Sequence, residues 1–288
     1  MKIGFIGTGV MGQSIVRHLL AADHQLMIYT RTKSKAEALI AQGASWKSNA
    51  KEVTDASEII FTMVGYPSDV EETYFDPEKG IFASELSNKI VVDLTTSTPS
   101  LAEKIEKVAR EKQGFSLDAP VSGGDLGAKN GTLTIMAGGS QVAYDRVLPL
   151  FKIFGKSFHL HGSAGKGQHT KMANQIMVAG TMLGMTEMLV YSQAAGLDLN
   201  NVIETLSGGA AANWSMINYS PRILRQDYTP GFFVKHFIKD LKIVLDEADK
   251  MEIELPMTTL AKQLYEMLAV KGFSDDGTQA LIKLWWTE

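Results

Sequence analysis

The sequence predicts an α/β domain with a doubly wound parallel sheet, followed by an all-α domain. Short β-type runs alternate with helical patterns through the first half of the 288 residues. Repeated strand–helix pairs of this kind form parallel sheets with helices on both faces. From residue 167 onward only helical patterns remain. We therefore predict domains over residues 1–163 and 164–288, with the junction at about 160–166.

The composition restricts the class of protein. Hydrophobic residues make up 45% of the chain and charged residues 21%, which is typical of a soluble globular protein. The net charge of -4 points away from nucleic acid and membrane surfaces as partners. The chain has no cysteine, which excludes disulfides, thiol nucleophiles and thiolate metal sites. Since the absence of cysteine fits a reducing compartment, we expect a cytoplasmic protein.

A glycine-rich motif follows the first predicted strand, residues 2–6, and leads directly into a helical pattern. The motif is Gly7-Thr8-Gly9-Val10-Met11-Gly12. This strand–turn–helix context is what a dinucleotide site of the Rossmann type requires, although glycine-rich turns are also common without a ligand. Gly7 permits the tight turn, Gly9 lets the backbone approach the pyrophosphate, and Gly12 lets helix and strand pack closely. The N–H groups at the helix start would face the phosphates.

The end of the second predicted strand, residues 25–29, indicates which dinucleotide is bound. An NAD site places an acidic residue here for the ribose hydroxyls, but this chain has Thr30-Arg31-Thr32. A guanidinium between two hydroxyl residues suits a 2′-phosphate, so we predict NADP(H) in preference to NAD(H). The alternative is an ordinary surface arginine before a helix.

Further strands are predicted at 59–64, 90–94, from 115, at 132–137 and at 156–159, with helices at 34–42, 100–112 and 141–151. Ligands of such sheets gather at the carboxyl ends of the strands. We therefore expect a ligand near the three loops at these strand ends, residues 64–67, 95–99 and 118–124. The hydroxyls of residues 95–98 could instead cap the helix that begins near Pro99.

The loop at 118–124 contains Ser122-Gly123-Gly124. A hydroxyl beside backbone N–H groups that no side chain obstructs can hold a small carboxylate. A plain turn explains the same residues equally well.

One long helix is predicted over 167–195, with others at 201–206, 237–251, 256–271 and 278–284. Lys171 and Asn174 share one face of the long helix, because side chains three apart are neighbours. A lysine at a helix start is, by default, a surface charge. The helix is apolar on most of its circumference and should be buried, with its methionines filling the core. Gly180 and Gly184 suggest close helix–helix contact, either within the chain or between subunits. The apolar surface of the helix suggests association into a homodimer or homotetramer.

Three histidines, His159, His161 and His169, lie close together in sequence. No carboxylate stands among them and their spacing is not that of a helical zinc site, so we predict no metal.

Four separated segments together resemble the β-hydroxyacid dehydrogenase family, which contains 3-hydroxyisobutyrate dehydrogenase, tartronate semialdehyde reductase and the glyoxylate/succinic semialdehyde reductases. The segments are residues 4–12, 118–124, 162–174 and 239–241, and the resemblance extends over essentially the whole chain. One departure is that relatives often have Leu-Pro where this chain has Val64-Gly65.

The resemblance implies that Lys171 is catalytic and that Asn174 and the turn Ser122-Gly123-Gly124 hold a small carboxylate-bearing substrate. It also implies that Thr96, Val64 and Gly65 line the cofactor cleft, and that Phe232, Lys239 and Asp240 lie near the nicotinamide. A hydride would pass between NADP(H) and a semialdehyde or its hydroxyacid, with Lys171 donating or accepting the proton. Alternatives are an imine reductase of the same architecture, which usually lacks the lysine, and a non-catalytic dinucleotide-binding protein. The related 6-phosphogluconate dehydrogenases are much longer.

Overall fold

The computed structural model describes residues 1–286, and two compact units divide the chain. The first unit is Met1–Lys171 and the second begins at Met172. The last two residues of the predicted second domain, 287 and 288, lie outside the described residues.

The first unit is built on a nine-stranded sheet. Its strands are β1 (Lys2–Ile6), β2 (Gln25–Tyr29), β3 (Ser45–Trp46), β4 (Ile59–Thr62), β5 (Ile90–Asp93), β6 (Phe115–Asp118), β7 (Val121–Ser122), β8 (Leu133–Gly139) and β9 (Gly155–Leu160). They are arranged in the order β3-β2-β1-β4-β5-β6-β8-β7, with β9 paired to β8. The order changes direction between β1 and β4, where open sheets of this kind bind their ligands.

The prediction of a doubly wound parallel sheet is confirmed. The six neighbouring strands β3, β2, β1, β4, β5 and β6 are all parallel. The structure adds an antiparallel edge, because β8 runs antiparallel to both β6 and β7. Strand β9 is parallel to β8. The alternation of strands and helices could not predict this reversal, because the order of elements along the chain does not fix the direction in which β8 joins the sheet.

Helices cover both faces of the sheet. They are α1 (Val10–Ala21), α2 (Glu37–Ala41), α3 (Ala50–Asp55), α4 (Pro67–Phe75), α5 (Pro99–Glu111), α6 (Gly124–Asn130) and α7 (Gln141–Phe154). Successive strand residues enter two different cores: Phe61 belongs to one and Ile60 to the other, and Val92 and Val91 divide in the same way. Burial on both faces explains why these strands are continuous apolar runs.

The remaining helices are α8 (Lys166–Ala194), α9 (Leu199–Ser207), α10 (Trp214–Leu224), α11 (Val234–Lys250) and α12 (Pro256–Leu268). The prediction of a helical second half is confirmed, although α10 was not predicted and α3, α4 and α6 were also missed in the first half. The predicted helix at 256–271 is α-helical only as far as Leu268. A further helical turn, Ala269–Phe273, follows it, and Gly272 in this turn has φ 94°.

Within the single chain, α8 is buried on part of its surface and exposed on one face. Met172, Met182 and Met185 fill the core as expected, but Met177 and Tyr191 are 67% and 73% exposed. Over residues 1–286, no helix combines the length and apolar character needed to cross a membrane.

Candidate active site

The glycine loop between β1 and α1 has the shape of a phosphate cradle. Gly7 adopts φ 97°, and a β-carbon on Gly12 would lie 2.2 Å from the Gly7 carbonyl oxygen, so both glycines are required by the turn itself. Gly9 differs, because a β-carbon there would meet nothing within 4 Å. Gly9 also precedes the first turn of α1, whose start has no side-chain cap. The loop thus presents uncapped N–H groups to an open space.

The rest of this loop fits a bound dinucleotide. The Thr8 hydroxyl is buried and has no hydrogen-bond partner within the described part of the chain. Val10 is exposed at the helix start, and Met11 packs partly against the sheet core. A buried donor beside an open, uncapped helix start is what a pyrophosphate would complete.

The segment after β2 is exposed. The Arg31 side chain is 76% exposed and its guanidinium lies 3.3 Å from the Asp69 carboxylate at the start of α4. Thr30 is half-buried and Thr32 is exposed. An ion pair this exposed contributes little to stability, so the guanidinium can be recruited by another anion.

The loops after β4 and β5 are joined by hydrogen bonds. The Val64 N–H donates to Thr95 Oγ1 over 3.0 Å. Gly65 and Thr96 are half-buried beside this bond. The Thr95 hydroxyl therefore joins the two loops, whereas Thr98 Oγ1 accepts from the Leu101 N–H and caps α5.

Lys171 lies beside the Ser122-Gly123-Gly124 turn. Its side chain is 6% exposed, and its Nζ donates to the Val121 carbonyl oxygen over 2.8 Å. Ser122 is half-buried, and Gly123 and Gly124 have φ 127° and 62°, conformations that favour glycine. The structure therefore brings together the lysine and the turn that the sequence selected separately.

The start of α8 is fixed by Asp118 at the end of β6. Asp118 Oδ1 accepts from the Gly165 N–H at 2.9 Å, and Oδ2 accepts from the Gln168 N–H at 2.8 Å. Burial raises the pKa of Asp118 to about 6, while those N–H donors oppose the rise and the carboxylate of Asp93 adds to it. Gly167 packs so closely here that a β-carbon would lie 2.5 Å from the Asp118 carbonyl oxygen.

Asn174 begins a polar network inside the second unit. Its amide donates to Gln175 Oε1 at 2.7 Å, and Gln175 Nε2 donates to Asp240 Oδ2 at 2.7 Å. The Lys239 ammonium lies 3.0 Å from Asp240 Oδ1, but that oxygen has no aligned hydrogen bond within residues 1–286, so we take this contact as a charge pair. The buried Gln175 thus links Asn174 to Asp240, and Asp240 in turn is paired with Lys239.

Phe232 precedes α11 and packs against the Phe237 ring, with the ring centroids 5.4 Å apart. It is half-buried at the edge of the helical core.

No group of three or more potential ligands among residues 1–286 is arranged to hold a metal ion. The His159 and His161 rings lie 6.3 Å apart at the edge of the sheet.

Sequence reasoning missed two buried glutamines, Gln168 and Gln175. A glutamine near a helix start is usually solvated, so neither position carried a signal of its own. The nearest available clue was that Gln168 stands between Gly167 and Lys171 in a segment already selected for its chemistry.

The comparisons with known proteins cover both units. The family model for the NAD binding domain of 6-phosphogluconate dehydrogenase matches residues 2–163. The model for the NAD-binding domain of NADP-dependent 3-hydroxyisobutyrate dehydrogenase matches residues 165–285.

Similar full-length proteins agree with these matches. A probable 3-hydroxyisobutyrate dehydrogenase-like protein of Arabidopsis thaliana is 50% identical over 281 residues, which are 98% of this chain and 84% of that protein. The 2-hydroxy-3-oxopropionate reductase of Escherichia coli is 38% identical, over 98% and 96% of the two chains. A solved structure, Psf3 in complex with NADP+ and 2-OPP, superimposes with a TM-score of 0.92 at 26% identity, covering 99% of this chain and 100% of that one.

The nucleotide cradle and the two domain matches define an oxidoreductase that uses NAD(P). The chain belongs to the β-hydroxyacid dehydrogenase family, as an NAD(P)-dependent hydroxyacid dehydrogenase of the 3-hydroxyisobutyrate dehydrogenase group. Relatives differ in their cofactor: an NAD-dependent L-serine dehydrogenase of Pseudomonas aeruginosa is 32% identical over 98% of this chain and 97% of its own length.

Proposed function

We propose that this protein is an NADP(H)-dependent reductase of small semialdehydes, and the reverse dehydrogenase of the corresponding β-hydroxyacids, with Lys171 as proton donor and acceptor. The observation that carries the proposal is the buried Lys171 ammonium beside the Ser122 turn. A buried lysine that is placed by a backbone carbonyl at a glycine turn is unusual for a structural lysine, which normally keeps its charge in water.

The residues have separate tasks in this mechanism. Bound NADPH supplies the hydride to the carbonyl carbon. The Ser122 hydroxyl and the N–H groups of Gly123 and Gly124 would hold the substrate carboxylate. Lys171 would hydrogen-bond the carbonyl oxygen, stabilise the negative charge that develops on it, and transfer its proton to the nascent alkoxide. In oxidation the neutral amine would accept the proton from the alcohol.

The amide of Asn174 is the second polar group proposed for the substrate. Its hydrogen bond to Gln175 fixes the orientation of the amide, and the continuation to Asp240 and Lys239 fixes the glutamine. We assign Lys239, Asp240 and Phe232 to the nicotinamide end on the strength of the family resemblance.

Cofactor selection rests on the end of β2. No carboxylate follows this strand directly, and Arg31 is exposed and held by a surface ion pair. A 2′-phosphate would receive a charge-assisted hydrogen bond from the guanidinium, whereas NAD(H) offers only hydroxyls. Thr30 and Thr32 add short donors on either side.

The first experiment follows NADPH and NADH oxidation with glyoxylate and with succinic, methylmalonic and tartronic semialdehydes. We expect turnover with NADPH, and a loss on the order of 100-fold to 10,000-fold in kcat for Lys171→Ala, because general acid catalysis contributes this much. Lys166→Ala is the matched control, since Lys166 is an exposed lysine of the same helix. Wild-type activity that survives in Lys171→Ala, in samples that still bind NADPH, would refute the role of Lys171.

The cofactor preference is tested by the dissociation constants of NADPH and NADH for wild type and Arg31→Ala. We expect the wild type to prefer NADPH, and the variant to lose about tenfold or more of that preference, since a charge-assisted hydrogen bond to phosphate is worth about 1.5–3 kcal/mol. NADH affinity should change little. Equal losses for both cofactors would contradict the 2′-phosphate assignment.

An imine reductase is the second candidate. The same assay with a cyclic imine added to the set of substrates addresses it, because activity on the imine without activity on any semialdehyde would favour that function.

A further inference from the structure

The side chain of Gln168 joins the first turn of α8 to the loop after β5, and the chemistry proposed above does not use it. Gln168 Oε1 accepts from the Ser97 N–H at 2.9 Å, and Nε2 donates to the Thr95 carbonyl oxygen at 2.8 Å. The residue is completely buried. Both hydrogen-bonding groups of one neutral amide are therefore satisfied by the backbone of a single loop.

The two backbone groups that Gln168 contacts flank Thr96, the residue assigned to the cofactor. The same loop is tied to the next one, because Thr95 Oγ1 accepts from the Val64 N–H. On the other side, Gln168 precedes Lys171 by three residues, which places the two on adjacent turns of one helix face. A short chain of hydrogen bonds thus runs from the β4 and β5 loops to the turn that carries the proposed proton donor.

The backbone of Gln168 is fixed independently of its side chain. Its N–H donates to Asp118 at the end of β6. Gly138 and Gly167 let these segments approach, since a β-carbon on Gly138 would lie 2.6 Å from the Gly167 nitrogen. The helix start is thus held against β6 by Asp118, while the side chain of Gln168 is left to hold the β5 loop.

We infer that Gln168 is a positioning residue that fixes the Thr95–Ser97 loop relative to Lys171. The inference rests on the proposed role of Lys171. It adds that the loop containing Thr96, the residue assigned to the cofactor, is held in place relative to that lysine. Only a carboxamide meets the requirement, because the loop presents one N–H and one carbonyl to a fully buried side chain. Leucine has neither group, and an ionised glutamate can only accept.

Positioning acts on the chemical step. A reacting group displaced by about 1 Å can lower the rate on the order of 100-fold, even when binding is retained. Loss of the Gln168 bridge should therefore lower kcat far more than it weakens NADPH binding.

The test compares Gln168→Leu and Gln168→Glu with wild type. Gln193→Glu is the matched control, since Gln193 lies on the same helix but is exposed. Five quantities are measured: the melting temperature, the NADPH dissociation constant, the stoichiometry of NADPH binding, kcat per NADPH-binding site, and the primary deuterium isotope effect with deuterated NADPH. Hydrogen exchange of the Ser97 amide in the cofactor-free protein provides a reading that does not depend on activity.

We expect kcat per binding site to fall roughly 10-fold to 100-fold in both variants. The isotope effect should rise, because hydride transfer becomes the slow step. Hydrogen exchange of the Ser97 amide should be faster in Gln168→Leu than in wild type. It should be slower in Gln168→Glu than in Gln168→Leu, because the carboxylate of the glutamate still accepts from this N–H. Gln193→Glu should behave as wild type in every measurement.

A variant with wild-type kcat per binding site and wild-type isotope effect, but a lower melting temperature, would overturn the inference and leave Gln168 a structural residue. Unchanged Ser97 exchange in Gln168→Leu would overturn it as well. The proposed function fails separately, if wild type turns over no semialdehyde or if Lys171→Ala keeps its activity. In that case the exchange measurement still decides whether Gln168 holds the loop.

Discussion

Asp118 is a carboxylate in an almost fully buried position, where it accepts two N–H groups at the start of α8. Loss of solvation disfavours its charged form, and this outweighs the two hydrogen bonds, so the pKa rises from 3.8 to about 6. The folded protein therefore binds this proton more tightly than the unfolded chain does. The contribution of Asp118 to stability is fully present below about pH 4, declines as the pH rises through about 6, and is lost by about pH 7.

We predict that Asp118→Asn removes this pH dependence. The difference in unfolding free energy between wild type and variant should shift against the wild type by about 3 kcal/mol as the pH rises from about 4 to about 7. Asparagine has only one acceptor oxygen, so the variant also leaves the Gly165 or the Gln168 N–H unpaired at every pH. Denaturant unfolding of both proteins across this range measures the shift, and parallel curves would contradict it.

The β1–α1 unit shows how one sequence pattern serves two physical purposes. Gly7 and Gly12 are needed so that the chain can turn and pack, whereas Gly9 faces open space and adopts φ -72°, which any residue tolerates. The element would therefore keep its structure with a larger residue at Gly9 but not at Gly12. We therefore propose that Gly9 leaves space for a bound dinucleotide.

We predict that Gly9→Ala leaves the melting temperature nearly unchanged and weakens NADPH binding by about tenfold or more, because the new methyl group occupies the space of the pyrophosphate. Gly12→Ala is the contrasting variant, and it should lower the melting temperature because its methyl group would collide with the Gly7 carbonyl. Calorimetry and fluorescence titration with NADPH distinguish the two. Equal stability losses in both variants would show that Gly9 is structural.

At the scale of the whole molecule, α8 exposes an apolar stripe. Met177, Gly184 and Tyr191 recur every seven residues and so lie on nearly one face, as residues at this spacing do. A β-carbon on Gly184 would meet nothing within 4 Å, and this glycine lines a groove of about 800 Å³ between α8 and α9. We propose that a second copy of the chain covers this stripe, giving a homodimer or homotetramer.

Sedimentation velocity and light scattering test this assembly. We expect the wild type to be a dimer or tetramer and Gly184→Arg to have a lower mass, because a long charged side chain would prevent close helix contact. NADPH binding should be retained. Gly208→Arg, at an exposed glycine with φ -89° outside the stripe, is the control and should keep the wild-type mass. A monomeric wild type, or an unchanged mass for Gly184→Arg, would contradict the proposal.

Periodicity and glycine chemistry were enough to predict the two-part architecture, the dinucleotide loop and most strands, because these features depend on residues close together in sequence. Strands β1 and β2 have the predicted bounds. Helices α3 and α4 were missed because they are short and their apolar spacing is weak.

The sequence by itself determined the fold class, the family and the selection of Lys171, since each is carried by local patterns whose order along the chain is specific. Only the tertiary structure decided that β8 runs antiparallel, that Lys171 reaches the Val121 carbonyl, and that Gln168 spans from α8 to the β5 loop. Each of these depends on contacts between residues that are distant in the chain. The packing of the whole unit fixes such contacts, and no local pattern of residues encodes them.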